Sequence, residues 1–342
     1  MEILTLIAVL AGFYVVWNIG ANDTANCVGT ALGGRILSHR LALSIVIIFV
    51  ILGASLEGWK NMRTVGEGIV IGAGGTNPLS SAPSAVIAAL LATGVWLSVA
   101  TGLGIPVSTS QAMVGSVIGT GALLSYIKPD GLTSWVQPSV LGAIAISWIL
   151  NPVFAGIMAY VISRAIAPFL RKIKNLIVLN RVLIILVIAA TAATAYALGA
   201  NDVGTSTGAI YAFFSGSEGN EGLMMAVGVF GGIGLSIGAL TYSHKVIRTL
   251  GRGITKLDAL SAFAAQLSGA LTVWSFVQFG IPVSTTQAMV GAVVGVGLAK
   301  GMKTVSGRKV GLIGAAWILG PLITCMLSFG LGWLLLGLDL MP

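Results

Sequence analysis

The sequence predicts an all-α integral membrane protein built as two inverted-topology repeats, with broken helices or re-entrant helical hairpins and about 10–12 membrane segments. Three observations predict it. The 342 residues are 56% hydrophobic and 8% charged, where a soluble domain carries about 25% charged residues. Apolar runs long enough to cross a bilayer recur along the whole chain. The second half then repeats the order of the first, down to short identical strings. The 47 glycines suit helices that pack closely in lipid.

The first apolar run covers 3–19 and meets Gly20-Ala-Asn-Asp-Thr-Ala-Asn26, where the glycine is expected to stop the helix. The start of the chain lacks the basic residues of a cleaved signal peptide, so this run is expected to remain as the first span. Arg35 and Arg40 follow, then spans near 41–58 and 82–103 around a Gly/Asn/Pro/Ser stretch at 72–83. Pro106-Val-Ser-Thr-Ser-Gln-Ala-Met-Val-Gly115 opens the segment 106–127. A turn at Lys128-Pro-Asp-Gly131 leads to the run 138–163, and a basic loop occupies 164–181.

The second half runs 182–198, then Gly199-Ala-Asn-Asp-Val-Gly-Thr205, then spans near 223–242 and 258–279. Pro282-Val-Ser-Thr-Thr-Gln-Ala-Met-Val-Gly291 opens 282–299, and a long run covers 310–337. Trp-Ile-Leu-x-Pro stands at both 148–152 and 317–321, and Lys60, Arg63, Gly66 and Gly68 match Lys245, Arg248, Gly251 and Gly253. The expected division is 1–163 as first repeat, 164–181 as linker and 182–342 as second repeat.

Five long apolar segments per half turn the second copy upside down. With 164–181 in the cytoplasm, Arg35/Arg40, Lys245–Lys256 and Lys300–Lys309 also fall inside. The loop with Glu218 and Glu221 and both termini fall outside, with the Lys60/Arg63 segment as the exception. The expected location is the inner (plasma) membrane of a cell. The net charge of +8 belongs to these short loops, so membrane lipid rather than nucleic acid is its partner. Cys27 and Cys325 each lie in an apolar stretch, which excludes a disulfide framework and a metal-cysteine site. A homodimer is the default assembly.

Proline at 106 and 282 suits a helix entrance. Ser108 with Gln111, and Ser284 with Gln287, fit a capping box. A helix N-terminus offers N–H groups and partial positive charge to an anion. The hydroxyls of Ser108, Thr109, Ser110, Ser284, Thr285 and Thr286 add donors, and neither string holds Lys or Arg. Asn22-Asp23 and Asn201-Asp202 offer amide and carboxylate oxygens, suited to a hard cation such as Na⁺. A carboxylate repels a bare anion, so anion and cation are expected to bind together, which is the physical basis of symport. Acceptors beside an anion also favour one with a proton to donate: phosphate has one at neutral pH and sulfate does not.

With Gly-Ala-Asn-Asp at 20–23 and 199–202 and Pro-Val-Ser-Thr at 106–109 and 282–285, the chain resembles the inorganic phosphate transporter (PiT) family. The resemblance covers nearly the whole chain. It implies uptake of inorganic phosphate driven by Na⁺ or H⁺, an inverted-repeat fold and both termini outside. On the residues themselves, the expected Na⁺ ligands are Asn22, Asp23, Asn26, Asn201, Asp202 and Thr205. The expected phosphate ligands are the two Ser/Thr clusters with Gln111, Gln287, Asp23 and Asp202. Two positions depart from the family pattern. Asn follows each Asp by three residues in the family, whereas here Asn26 fits and Thr205 does not. Many members have histidine after the Ser/Thr cluster, whereas here Gln111 and Gln287 stand. Loss of groups that titrate near neutrality favours Na⁺ over H⁺ coupling. The rival readings are a proton-coupled phosphate permease, a sulfate or other oxyanion permease of the same build, and an intramembrane aspartyl protease using Asp23 and Asp202.

Overall fold

The computed structural model describes residues 2–69, 83–127, 137–215, 221–253, 258–301 and 307–337. Among them every regular element is helical. The first half holds α1 (Glu2–Gly33), α2 (His39–Glu57) and α3 (Trp59–Arg63), which passes into a π-helical turn at Thr64–Gly68. It continues with α4 (Pro83–Gly102), α5 (Thr109–Ile127) and α6 (Pro138–Arg171). In the second half α7 (Leu176–Leu198) runs through a π-helical turn at Gly199–Val203 into α8 (Gly204–Ser215). Then come α9 (Glu221–Tyr242), α10 (His244–Gly253), α11 (Ala259–Gln278), α12 (Thr285–Lys300) and α13 (Gly307–Gly337). Most of the stretch at 72–83, the turn at 128–131 and Glu218 lie outside the described residues.

Among the described residues eight helices are long and apolar enough to cross a membrane: α1, α2, α4, α6, α7 with α8, α9, α11 and α13. The protein is an integral membrane protein. Their ends follow from local chemistry. Ser38 caps α2 by accepting from the Leu41 N–H, and Asp258 caps α11 by accepting from the Ser261 N–H at 2.9 Å. Asn175 caps α7 through the N–H groups of Ile177 and Val178. The basic stretch expected as a loop at 164–181 is mostly helix. The α6 helix reaches Arg171 and α7 starts at Leu176, because long arginine side chains can lie along a helix end and still reach the membrane surface.

Equivalent elements exchange partners between the halves. The α6 helix lies along α11 and α12, and α13 lies along α4 and α5. The α1 helix packs on α9, as α7 packs on α2. The two halves are therefore interwoven, and the short helices α5 and α12 are held inside.

The helix stops expected at Gly20 and Gly199 do not occur. The α1 helix continues through Gly20-Ala-Asn-Asp to Gly33, and the second copy continues as a π turn. The missing side chains serve packing instead. A Cβ on Gly20 would strike the carbonyl oxygen of Leu235, and one on Gly238 would strike that of Trp17. Gly199 meets the carbonyl oxygen of Val50 in the same way. Backbone contact this close is what small residues make available to helices in lipid.

At one end of the bundle Glu57 ties the halves together. Its carboxylate accepts from Tyr196 Oη at 2.8 Å and Trp274 Nε1 at 3.3 Å, and from Lys60 Nζ at 2.8 Å and Gln278 Nε2 at 2.6 Å.

Gly238→Val is expected to lower the thermal unfolding temperature of the purified protein, since overpacking costs about 1–3 kcal/mol. Gly142→Ala, whose Cβ meets nothing within 4 Å, is expected to leave it unchanged. Equal stability of the two variants would contradict the packing account.

Candidate functional site

The two signature strings meet at the centre and are stitched to each other. Ser110 Oγ donates to the Val283 carbonyl at 2.8 Å, and Thr286 Oγ1 donates to the Val107 carbonyl at 3.0 Å. These are equivalent bonds, since Ser110 matches Thr286 and Val107 matches Val283. The caps expected from the sequence form in both copies: Ser108 Oγ accepts from the Gln111 N–H at 3.2 Å, and Ser284 Oγ from the Gln287 N–H at 3.1 Å. The return half of the capping box does not form. Gln111 Oε1 and Gln287 Oε1 are buried with no donor.

The Asn-Asp pairs reach these strings from α1 and the π turn. Asn22 grips the first string: its Oδ1 accepts from the Val107 N–H at 3.3 Å and its Nδ2 donates to Thr101 Oγ1 and the Ile105 carbonyl. Asn201 grips the second, accepting from the Val283 N–H at 3.2 Å and donating to the Val283 carbonyl at 2.6 Å. Asp23 lies between the strings. Its Oδ1 accepts from Asn26 Nδ2 at 3.0 Å and lies 3.1 Å from Thr286 Oγ1, whose one hydrogen serves either it or the Val107 carbonyl, and its Oδ2 accepts from Thr109 Oγ1 at 2.7 Å. Thr109 Oγ1 is also 3.1 Å from Asp202 Oδ1. One hydroxyl therefore stands between the two carboxylates, and its single hydrogen serves one of them at a time. Asn26 extends to Thr285 and Thr286 of the opposite string. Thr205, by contrast, turns its hydroxyl back to the Asn201 carbonyl at 2.7 Å.

All fourteen residues singled out in the sequence are at most 4% exposed. Among the described residues no Lys or Arg takes part in their hydrogen bonds. Burying acceptors without donors is costly, yet the centre holds several: Asn26 Oδ1, Gln111 Oε1, Gln287 Oε1 and Asp202 Oδ2. A set of carbonyl and carboxylate oxygens without hydrogen donors is what a hard cation satisfies. The hydroxyls beside them are donors of the kind an oxyanion accepts from. The chemistry of the donor set thus fits Na⁺ together with an oxyanion.

Three further polar residues complete the centre and were not singled out in the sequence: Thr101, Asn61 and Asn151. Asn61 Nδ2 donates to Asn201 Oδ1 at 3.0 Å, and Asn151 Nδ2 to the Ser284 carbonyl at 2.8 Å. The repeat comparison carried a signal for them. Their partners in the other half are Val277, Val246 and Gly320, so each is polar where its copy is not.

The model of the phosphate transporter family matches residues 19–328. This chain belongs to that family. A relative from Methanocaldococcus jannaschii, named "Putative phosphate permease", is 32% identical over 96% of this chain and 97% of its own. A relative of the same name from Chlamydia muridarum is 29% identical over 92% of this chain and 94% of its own. A solved structure described as the sodium-dependent phosphate transporter superposes with a TM-score of 0.85 at 26% identity, covering 98% of this chain and 99% of that one. The chain is accordingly a transporter and not an enzyme, which removes the aspartyl protease reading.

Thr109→Val removes the hydroxyl within reach of both carboxylates. Phosphate transport in proteoliposomes is expected to fall at least about tenfold, because a lost bond to a charged group costs about 1.5–3 kcal/mol. Thr109→Ser is expected to keep most of it. Equal losses in the two variants would show that shape at 109, not the hydroxyl, matters.

Proposed function

We propose that this chain takes up inorganic phosphate by symport with Na⁺, working by alternating access. The observation that carries the reading is the mixed character of one buried centre. Hydroxyl donors and orphan acceptor oxygens lie together there with two carboxylates and no basic side chain. An anion brought to Asp23 and Asp202 alone meets repulsion. With Na⁺ on the orphan oxygens the same centre becomes attractive, so each solute raises the affinity for the other. Phosphate fits better than sulfate because its own O–H can donate to an unpartnered acceptor such as Gln111 Oε1 or Gln287 Oε1.

Na⁺ is favoured over H⁺ because glutamine occupies 111 and 287, where a titrating group would serve proton coupling. The likeness to a sodium-dependent phosphate transporter points the same way. Phosphate is held in this reading by Ser108, Thr109, Ser110, Gln111, Ser284, Thr285, Thr286 and Gln287, with Asp23 and Asp202 beside it. Na⁺ is held by oxygens of Asn22, Asp23, Asn26, Asn201, Asp202 and Thr205.

The repeats 1–163 and 182–342, joined by 164–181, are taken as inverted copies, with the linker in the cytoplasm and both termini outside the inner membrane. The exchange of partners between equivalent helices, α6 with α12 and α13 with α5, supports this, since it is what copies related by a twofold axis would give. Transport then requires that the centre change its exposed side only when it is full or empty.

The test is labelled phosphate uptake into proteoliposomes with Na⁺ and pH gradients imposed separately. An inward Na⁺ gradient is expected to drive accumulation and a pH gradient alone is not; the reverse result would overturn Na⁺ coupling. Excess sulfate is expected not to compete. Asp23→Asn and Asp202→Asn are each expected to lower Na⁺-driven uptake at least about tenfold, from the loss of charge-assisted contacts, and wild-type rates in both would refute the site.

A further inference from the structure

Asn61 lies outside both signature motifs. It sits on α3, fully buried, and reaches into the second half. Its Nδ2 is 3.0 Å from Asn201 Oδ1, 3.4 Å from the Asn201 carbonyl oxygen and 3.5 Å from Thr205 Oγ1. The two nearest are carbonyl-type oxygens that only accept, so they fix which way the amide is turned. The other end of the same amide, Asn61 Oδ1, is buried with no donor. Asp202 Oδ2, one residue beyond Asn201, is in the same state.

The internal repeat gives this arrangement a direction. In the first half Asn22 is steadied by Thr101 and neighboured by Asn26. The second half has Val277 and Thr205 at those places. It has lost the supporting hydroxyl and the neighbouring amide together. Asn61 supplies the amide from the opposite half, beside Thr205, and steadies Asn201 in the reverse sense to Thr101: its Nδ2 donates to Asn201 Oδ1, whereas Thr101 Oγ1 accepts from Asn22 Nδ2. Its own copy is Val246, so the replacement occurs on one side only. That side is the Glu57 end of the bundle, four residues before Asn61 and at the far end of α11 from Asp258.

We propose that Asn61 is a Na⁺ ligand, its Oδ1 and Asp202 Oδ2 belonging to a cation site of the second half in which Asn61 stands in for the amide missing at 205. Carbonyl and carboxylate oxygens without competing donors are the ligands a hard cation takes. The Nδ2 bonds hold the amide so that Oδ1 is left for the ion. The assignment rests on the Na⁺-coupled reading given above.

The experiment is a pair of titrations on Asn61→Val, which copies Val246, against wild type in proteoliposomes. Uptake is measured against Na⁺ at saturating phosphate, then against phosphate at saturating Na⁺. The half-saturating Na⁺ concentration is expected to rise at least about fivefold, the scale of one lost polar contact, while that for phosphate moves less than about twofold. Thermal unfolding without phosphate, with Na⁺ exchanged for choline, is expected to show Na⁺ stabilising wild type and stabilising the variant far less. An unchanged Na⁺ dependence in the variant overturns the assignment, as does an equal weakening toward both solutes, which a merely structural residue would give. Should the valine variant not fold, Asn61→Ala is read by the same titrations. A wild type driven by protons and indifferent to Na⁺ would overturn the coupling reading and the ligand together; a Na⁺-dependent wild type with an indifferent variant overturns the ligand alone.

Discussion

Two carboxylates buried among apolar helices set the terms for the rest of this molecule. An aspartate at the centre of a membrane-spanning helix costs roughly 2.5–3.5 kcal/mol on insertion scales. Asp23 is compensated by Thr109, Thr286 and Asn26. Asp202 shares the Thr109 hydroxyl and keeps one oxygen without a donor. The compensation is therefore incomplete, and what is missing is donors: the unpartnered atoms are oxygens.

Bringing those donors to the carboxylates demands that two helix starts meet inside the bundle. The starts of α5 and α12 are held by three sets of bonds: their own serine caps, the Asn22 and Asn201 clamps, and the reciprocal Ser110–Val283 and Thr286–Val107 bonds. The long helices α6 and α13 cross over to brace the opposite half's short helix. Glycine makes the crossing tight. Gly291 sits against the Pro152 carbonyl and Gly115 against the Pro321 carbonyl, so each Trp-Ile-Leu-x-Pro segment docks on the string of the other half.

The halves are alike in backbone and unlike in chemistry. Glu57 gathers Lys60, Tyr196, Trp274 and Gln278 at one end of the bundle. The equivalent residue at the other end is Tyr242, which stacks on Trp17 and lies beneath Lys245. One closure is charged and hydrogen-bonded, and the other is aromatic. Salt weakens ionic contacts more than aromatic ones, so the two ends are held by interactions of different kinds.

The membrane class, the two serine caps and the fourteen polar residues that prove to be buried are legible in the order of residues alone. Apolar length and cap chemistry are local properties, and they survive in one dimension. The sequence misjudged Gly20 and Gly199, because a glycine that ends a helix and a glycine that lets another backbone touch it look the same in a string. Only the tertiary structure decided that α1 runs unbroken past Asp23, that one threonine stands between two aspartates 179 residues apart, and that Asn61 and Asn151 join the centre. Those facts depend on which helices cross and at what closeness, and crossing is set by packing between segments distant in the chain rather than by any segment's own preference.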